Sequence, residues 1–312
     1  MKSGSRARTI VSIAALVAAG CGGPRTGSPA APALETPAAP APGTTYTGRN
    51  GYVEYITGDL PLIITVPHGG SLTPPEIADR KTGIDARDLY TDDLAAQIVD
   101  VFVERTGRRP HLIINHLHRR KLDANRDSTE ATDGDSLSAQ AWREFHGFID
   151  NARALVAKKH GSGLLLDIHG HSHTLRRLEL GYLLEPNTLA RPDSSIGNDV
   201  IDGSSVRALA RRRGLRPADV LRGAGSLGAF IQKNGYDAVP SPAIPHPGNA
   251  PYFAGGYITE RHGSRSGGRI DAIQIESHYT GVRDTHANRR RFAEALVTAV
   301  QAYLHEHYGS TG

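Results

Sequence analysis

Gly163-Leu-Leu-Leu-Asp-Ile-His-Gly-His171 is apolar from Leu164 to Ile168 except for Asp167, and it closes on histidines. A short apolar run of this length, bounded by glycines, reads as a strand. Two other stretches share the design. Pro61 to Val66 runs into Pro67-His68-Gly69-Gly70, and Ile273-Gln-Ile ends on Glu276. Apolar runs ending in ligand-type residues are what a metal site at the carboxyl edge of an open α/β sheet looks like. If the strand continues past Ile168, its two-residue period puts Asp167, His169, His171 and His173 on one face. Four polar residues on one face cannot all be core.

Working outward, Tyr52 to Ile56 and Pro61 to Val66 read as strands, the second apolar almost throughout and therefore central. Leu94, Ile98, Val99 and Phe102 recur at helical spacing, which gives a helix over Thr91 to Arg105 closed by Gly107. His111 to Asn115 is the next strand. Helical periodicity returns from Ser138 to Lys159, and Leu178 to Leu184 reads as a further strand. Short helices follow at Val206 to Arg213, Pro217 to Leu221 and Ser226 to Lys233. Pro240 to Gly256 is loop, Ile270 to Glu276 the last strand and Ala287 to His305 the terminal helix. Strands alternating with helices predict a single α/β domain with a mixed, mainly parallel sheet flanked by helices.

The candidate ligands follow from these strand tips. His68 precedes two glycines that let backbone approach a bound group closely, and His169 repeats the arrangement on a second strand. A catalytic zinc needs three protein ligands and one open position. Asp88, Asp92, Asp93 and Glu76 all lie within reach of His68 in sequence. Asp92 and Asp93 fall in the first turn of a helix, where favourable charge placement accounts for them, whereas Asp88 lies in the loop before it. Spacing leaves the choice open. Glu276, at the far strand tip, suits a general base. Between the histidines sits Asp123-Ala-Asn-Arg126, whose Asn125-Arg126 pair suits a substrate carboxylate.

The amino terminus carries a different message. Lys2, Arg6 and Arg8 precede an apolar stretch from Ile10 to Ala19 and then Gly20-Cys21, the pattern of a secretory signal too short to span a bilayer stably. Leu16-Val-Ala-Ala-Gly-Cys21 resembles a bacterial lipobox, so Cys21, the only cysteine, is expected to carry lipid and tether the exported protein to a membrane surface. Residues 21–45 read as a Pro/Ala-rich tether and 46–312 as the folded domain. The formal net charge is +4, and three of the cations leave with the signal. Nothing in that balance argues for nucleic acid. The run Arg207, Arg211, Arg212, Arg213, Arg216 reads as a solvated helix face.

Taken in order, Pro67-His68-Gly-Gly70, Asp88-Leu-Tyr-Thr-Asp-Asp-Leu-Ala95, Arg119 four residues before Asp123, Asn125-Arg126, Asp167-Ile-His169 and Gln274-Ile-Glu276 resemble the N-formylglutamate amidohydrolase family. That family is itself similar to zinc carboxypeptidases. The resemblance spans Pro61 to Arg283. It implies a zinc carboxypeptidase-like fold and one zinc held by His68, Asp88 and His169. It further implies Glu276 as catalytic carboxylate and Arg119 steadying the oxyanion or substrate. Asn125 and Arg126 would grip a free carboxylate, and Tyr257, in Pro251-Tyr-Phe-Ala-Gly-Gly-Tyr257, would line the pocket; His171, read from its strand face, is a further candidate substrate contact. The implied reaction is hydrolysis of an amide next to a carboxylate on a small carboxylated substrate or peptide. A metallocarboxypeptidase or cell-wall amidase, and a ligand-binding lipoprotein, are the rival readings.

Overall fold

The computed structural model describes residues 40–309. The expected signal peptide, Cys21 and most of the expected tether lie outside the described residues. The tether's last residues do not. Gly43 donates its N–H to the Thr57 carbonyl at 2.8 Å, and the Thr57 hydroxyl donates to the Ala41 carbonyl at 2.6 Å. Ala41 and Gly43, in the stretch expected as tether, are thus hydrogen-bonded to Thr57, just past the strand Val53–Ile56. Composition does not announce such bonding.

Eight strands form one mixed sheet: β1 (Thr45–Thr47), β2 (Val53–Ile56), β3 (Leu62–Val66), β4 (His111–Asn115), β5 (Gly163–His171), β6 (Leu178–Gly181), β7 (Ala238–Val239) and β8 (Ile270–His278). Their order is β1-β2-β4-β3-β5-β8-β6-β7. The central four, β4, β3, β5 and β8, are parallel. β2 and β6 join them antiparallel at the two sides.

The two-residue period sorts the side chains into two cores. Leu62, Ile64, Leu164, Leu166, Ile273 and Ile275 pack with Leu94, Ile98 and Phe102 of α1 (Thr91–Thr106) and with Phe292, Leu296 and Val300 of the terminal helix (His286–Tyr308). Ile63, Ile113, Leu165 and Ala272 face the other way. They pack against Ala141, Phe145, Ile149 and Val156 of the long helix Ser136–His160. Burying each large apolar side chain stabilises the fold by about 1.5–3 kcal/mol. The result is a three-layer sandwich, as the alternation of strand and helix predicts.

In chain order the helices after α1 are α2 (Ser128–Thr132), α3 (Ser136–His160), α4 (Pro186–Leu189), α5 (Asn198–Asp202), α6 (Arg207–Arg213), α7 (Pro217–Arg222), α8 (Leu227–Lys233), α9 (Tyr257–His262) and α10 (His286–Tyr308). The elements the sequence does not announce are β1, β7, α2, α4, α5 and α9, each too short to show a period. β5 and β8 run past Ile168 and Glu276, to His171 and His278. β6 stops at Gly181 rather than Leu184, because Leu183 takes a left-handed backbone (φ 65°) and its N–H turns to the Ala254 carbonyl. The arginines of α6 are surface groups: Arg207 and Arg211 pair with Asp202. No helix among the described residues is long and apolar enough to cross a membrane.

Candidate metal centre

The carboxyl ends of β3 and β5 bring two histidines together. His68 lies just past β3, and Asn115, ending β4, holds that turn by donating from Nδ2 to the Pro67 carbonyl at 2.8 Å. The chain then loops out and returns. Asp88 donates its backbone N–H to the His68 carbonyl at 3.0 Å, and the Thr91 hydroxyl donates to the Asp88 carbonyl at 2.8 Å. Gly69 permits this return, since a Cβ there would stand 2.7 Å from the Asp92 nitrogen at the start of α1. Asp88 Oδ2 ends 3.5 Å from His68 Nδ1 and 3.1 Å from His169 Nδ1, with all three side chains buried.

Both imidazoles are held from behind by carboxylates. His68 Nε2 lies 2.6 Å from Asp123 Oδ1, and His169 Nε2 lies 2.9 Å from Asp167 Oδ2. With each Nε2–H committed there, each Nδ1 is left for a cation or a proton. Asp123 also accepts from Arg119 Nε at 2.9 Å and from the Asn125 N–H at 3.1 Å, while Asp167 accepts from the Thr65 hydroxyl at 2.7 Å. Carboxylate-backed imidazoles are the usual support of metal-binding histidines, fixing ring orientation and raising basicity.

The donor set fits a divalent ion. One atom from each of His68, Asp88 and His169 lies within 4.8 Å of the others, and His68 Nδ1 is buried with no hydrogen-bond partner. Two imidazoles and one carboxylate form a ligand set used for catalytic zinc. The electrostatics agree. Burial opposes charge on Asp88, but hydrogen bonds from His169 and His68 outweigh it and hold its pKa well below the usual carboxylate range. Burial likewise opposes charge on Asp123, where His68 and Arg119 prevail. His169 is desolvated too, yet Asp167, Asp88 and Glu276 raise it well above an ordinary imidazole.

Glu276 arrives through sheet register. The parallel pairing of β5 and β8 sets it beside His169, and Oε1 lies 3.8 Å from His169 Nδ1. Gln274 Nε2 donates to Oε1 at 2.9 Å, whereas Oε2 is buried without a partner. Burial pushes the Glu276 carboxyl up to about 8, with Asp88, Glu179 and Asp167 adding to the effect and His169 opposing it. A divalent charge nearby would lower both Glu276 and His169.

A cleft of about 310 Å³ opens over Asp88, walled by Arg87, Arg119, His171, His173, Phe253 and Arg283 among others. Arg119 brings Nη1 to 3.8 Å from Asp88 Oδ1. His171 has both nitrogens engaged: Nε2 donates to the Arg177 carbonyl at 2.9 Å and Nδ1 accepts from the His173 N–H at 3.1 Å. His171, His173 and the fully buried Glu179 also lie close together. His173 Nδ1 is 2.8 Å from Glu179, and its ring stacks on Phe253 at 4.8 Å.

Other expected site residues lie elsewhere. Glu76 accepts from the Tyr52 hydroxyl and Asp93 is tied to Gln97 and Arg289; of the four acidic candidates, Asp92 included, Asp88 alone groups with the two histidines among the described residues. Arg126 lies apart from the metal-ligand candidates. It is part-exposed and pairs with Glu130 at 3.3 Å across the first turn of α2, outside the cleft lining. Asn125 is buried behind His169, with Nδ2 3.3 Å from His169 Nε2 and Oδ1 accepting from the Ile258 N–H at 2.8 Å. Its Nδ2 donates to Gln274 Oε1 at 3.5 Å, so both ends of the amide are engaged within the protein. Tyr257 opens α9 and packs on Trp142 and His146, with its hydroxyl 3.3 Å from Arg261, again outside the cleft lining. Sequence reasoning missed Asp123 as the support of His68, and Arg87 and Arg283 on the cleft wall. For Asp123 the signal was available, as the motif's leading acid four residues after Arg119.

No family model matches the chain, and no curated protein matches it. Solved structures similar to it include N-formylglutamate amidohydrolase from Ralstonia eutropha, 15% identical, covering 84% of this chain and 98% of that one at a TM-score of 0.49. A gene product of Agrobacterium tumefaciens is 13% identical, covering 80% and 94% at a TM-score of 0.47. The N-acetylmuramyl-L-alanine amidase of Mycobacterium smegmatis is 11% identical, covering 79% and 97% at a TM-score of 0.37.

Proposed function

We propose that the chain is a zinc-dependent amidohydrolase that cleaves an amide bond adjacent to a free carboxylate. The observation that carries this reading is the convergence of His68 Nδ1, His169 Nδ1 and Asp88 Oδ2 beside a buried carboxylate, Glu276, with one oxygen unpartnered. His68, Asp88 and His169 would hold the cation, which supplies Lewis-acid chemistry by polarising a carbonyl and making water more acidic.

The chain's own groups do the rest. Gln274 fixes one oxygen of Glu276 and leaves Oε2 to accept the proton of the attacking water. The same oxygen returns that proton to the leaving amine. Arg119, with Nε fixed by Asp123, extends the rest of its guanidinium toward the cleft and stabilises the oxyanion as charge develops on the substrate. The proposal extends to location: the domain would work outside the cytoplasm, held to a membrane through lipid on Cys21.

The test pairs metal analysis with turnover. Purified protein, assayed for amine release from a panel of N-acyl amino acids and peptides, should lose activity with a chelator and regain it with zinc. E276Q should bind as much zinc as the wild type and lose about 10²- to 10⁴-fold in kcat, the usual worth of a general base. A fully active E276Q would remove Glu276 from the reaction.

A further inference from the structure

Arg126 pairs with Glu130 outside the cleft lining and Asn125 is engaged by Gln274 and Ile258, whereas the cleft itself offers three arginines to a substrate carboxylate. Two are committed. Arg283 donates from all three of its nitrogens to the carbonyls of Ser277, Leu89 and His171, which fixes the guanidinium in the cleft wall. Arg119 commits Nε to Asp123 and leans toward Asp88. Arg87 differs. It is half-buried on the cleft wall, immediately before Asp88, and its Nε is buried with no hydrogen-bond partner. Among the described residues no carboxylate comes within ion-pair reach of it, and its charge depresses the pKa of His118 rather than neutralising an acid.

We propose that Arg87 is the anion anchor of the cleft, gripping the free carboxylate of the substrate while the scissile amide lies over His68, Asp88 and His169. This rests on the amidohydrolase reading and names its substrate class: N-acyl amino acids or short peptides bearing a carboxylate. A half-buried guanidinium without an acid partner has lost water and gained nothing in the free protein. A carboxylate restores both the charge pairing and the planar two-point hydrogen bond that arginine is shaped for. Chain position supports the role, since anchor and ligand are neighbours in sequence and the distance between the gripped carboxylate and the scissile bond is set by a single residue.

The experiment compares wild type, R87Q, R87K and R126Q on one N-acyl amino acid and on its carboxamide, which lacks the charge. R87Q should raise KM for the acid about 10- to 100-fold, the worth of a hydrogen-bonded charge pair, with kcat little changed and no effect on the carboxamide. R87K should recover part of the loss, and R126Q should behave as wild type. An unchanged KM in R87Q, or a raised KM in R126Q instead, overturns the assignment. Failure of the amidohydrolase reading is separately visible as an absence of chelator-sensitive turnover in the wild type. Calorimetry with glutarate then decides the matter: saturable binding lost in R87Q supports the anchor, and equal or absent binding in both proteins refutes it.

Discussion

Replacing Asp123 by asparagine should cost far more metal affinity than the same change at Asp167, although both carboxylates back a histidine. Asp123 Oδ1 receives His68 Nε2–H at 2.6 Å and Oδ2 receives Arg119 Nε–H at 2.9 Å, so both oxygens face obligate donors. An amide satisfies only one of them. With its oxygen on His68, its NH2 confronts the Arg119 donor. Turned over, its NH2 faces His68 Nε2, which must then accept, and the ring proton moves to Nδ1, the atom needed for the cation. Asp167 faces one histidine, at 2.9 Å, and one hydroxyl, that of Thr65, at 2.7 Å. A hydroxyl can also accept, so an asparagine there keeps its oxygen on His169 and donates to Thr65. Loss of a supporting carboxylate costs about 10- to 100-fold in metal affinity. D123N belongs near the upper bound, about 2.7 kcal/mol, and D167N near the lower, about 1.4 kcal/mol. Competition with a chromophoric chelator reads both constants, with circular dichroism and urea unfolding verifying the fold. Equal losses, or a folded D123N within threefold of wild type, would refute the argument that the unsatisfied donor sets the difference.

Two stability predictions follow from other parts of the fold. A Cβ on Gly70 would stand 2.3 Å from the backbone carbon of His116, with no flexible atom to move aside, so G70A should lower stability by about 1–3 kcal/mol and loosen the His68 turn. A urea midpoint equal to wild type would refute it. His111 accepts at Nδ1 from the Tyr55 hydroxyl and the Gly58 N–H, and burial first, then the charge of His160, depresses its pKa from 6.5 to about 4. Between those values the unfolded chain takes up a proton that the folded chain refuses. Stability is therefore held above pH 6.5 and lost as pH falls toward 4, by about 3 kcal/mol at most. His146 is also depressed by burial, so H111Q should reduce but not abolish the slope of urea stability across that window, and an unchanged slope would show that His111 does not contribute.

How much of this was legible without coordinates depends on how far each inference reached beyond one segment. The strands and long helices could be read because Leu164 to Ile168 or Leu94 to Phe102 carries its own period. His68, His169 and Glu276 could be read because a polar residue closing an apolar run has few structural reasons to be there. Arg126 could not. Its direction is set by α2, five residues long, capped by Asp127 through the N–H groups of Thr129 and Glu130, which places Glu130 one turn away to take the guanidinium. A helix that short leaves no period in the sequence. The placement of Asn125 was hidden for a different reason. The residue type was informative, but its amide is used twice within the protein, on Gln274 and on the Ile258 N–H, and only the packing of α9 reveals the second use. Arg87 was invisible because its evidence is the lack of a partner, which only a full set of neighbours can show.

The parity of the strands explains why the chemistry gathers on one side of the sheet. Leu165, Asp167, His169 and His171 of β5 share a face, as do Ala272, Gln274, Glu276 and His278 of β8, and the pairing aligns each with its counterpart. Toward the strand starts this face is apolar and packs on α3 through Leu165 and Ala272. Toward the ends the same face turns polar: Thr65, Asp167 and Gln274 lie in register across three strands, then His169, Glu276 and Glu179 across the next three. The first row hydrogen-bonds to the second, Asp167 to His169 and Gln274 to Glu276. A slip of one residue between β5 and β8 would send Glu276 to the α1 side, among Leu166, Ile273 and the other buried aliphatics, where an acid has no partner. The hydrophobic pattern that selects the register thus also selects the pairing of histidine with acid. The precision of the centre comes from the core beneath it, while the loops bearing Asp88 and Arg87 remain free to decide what the cleft accepts.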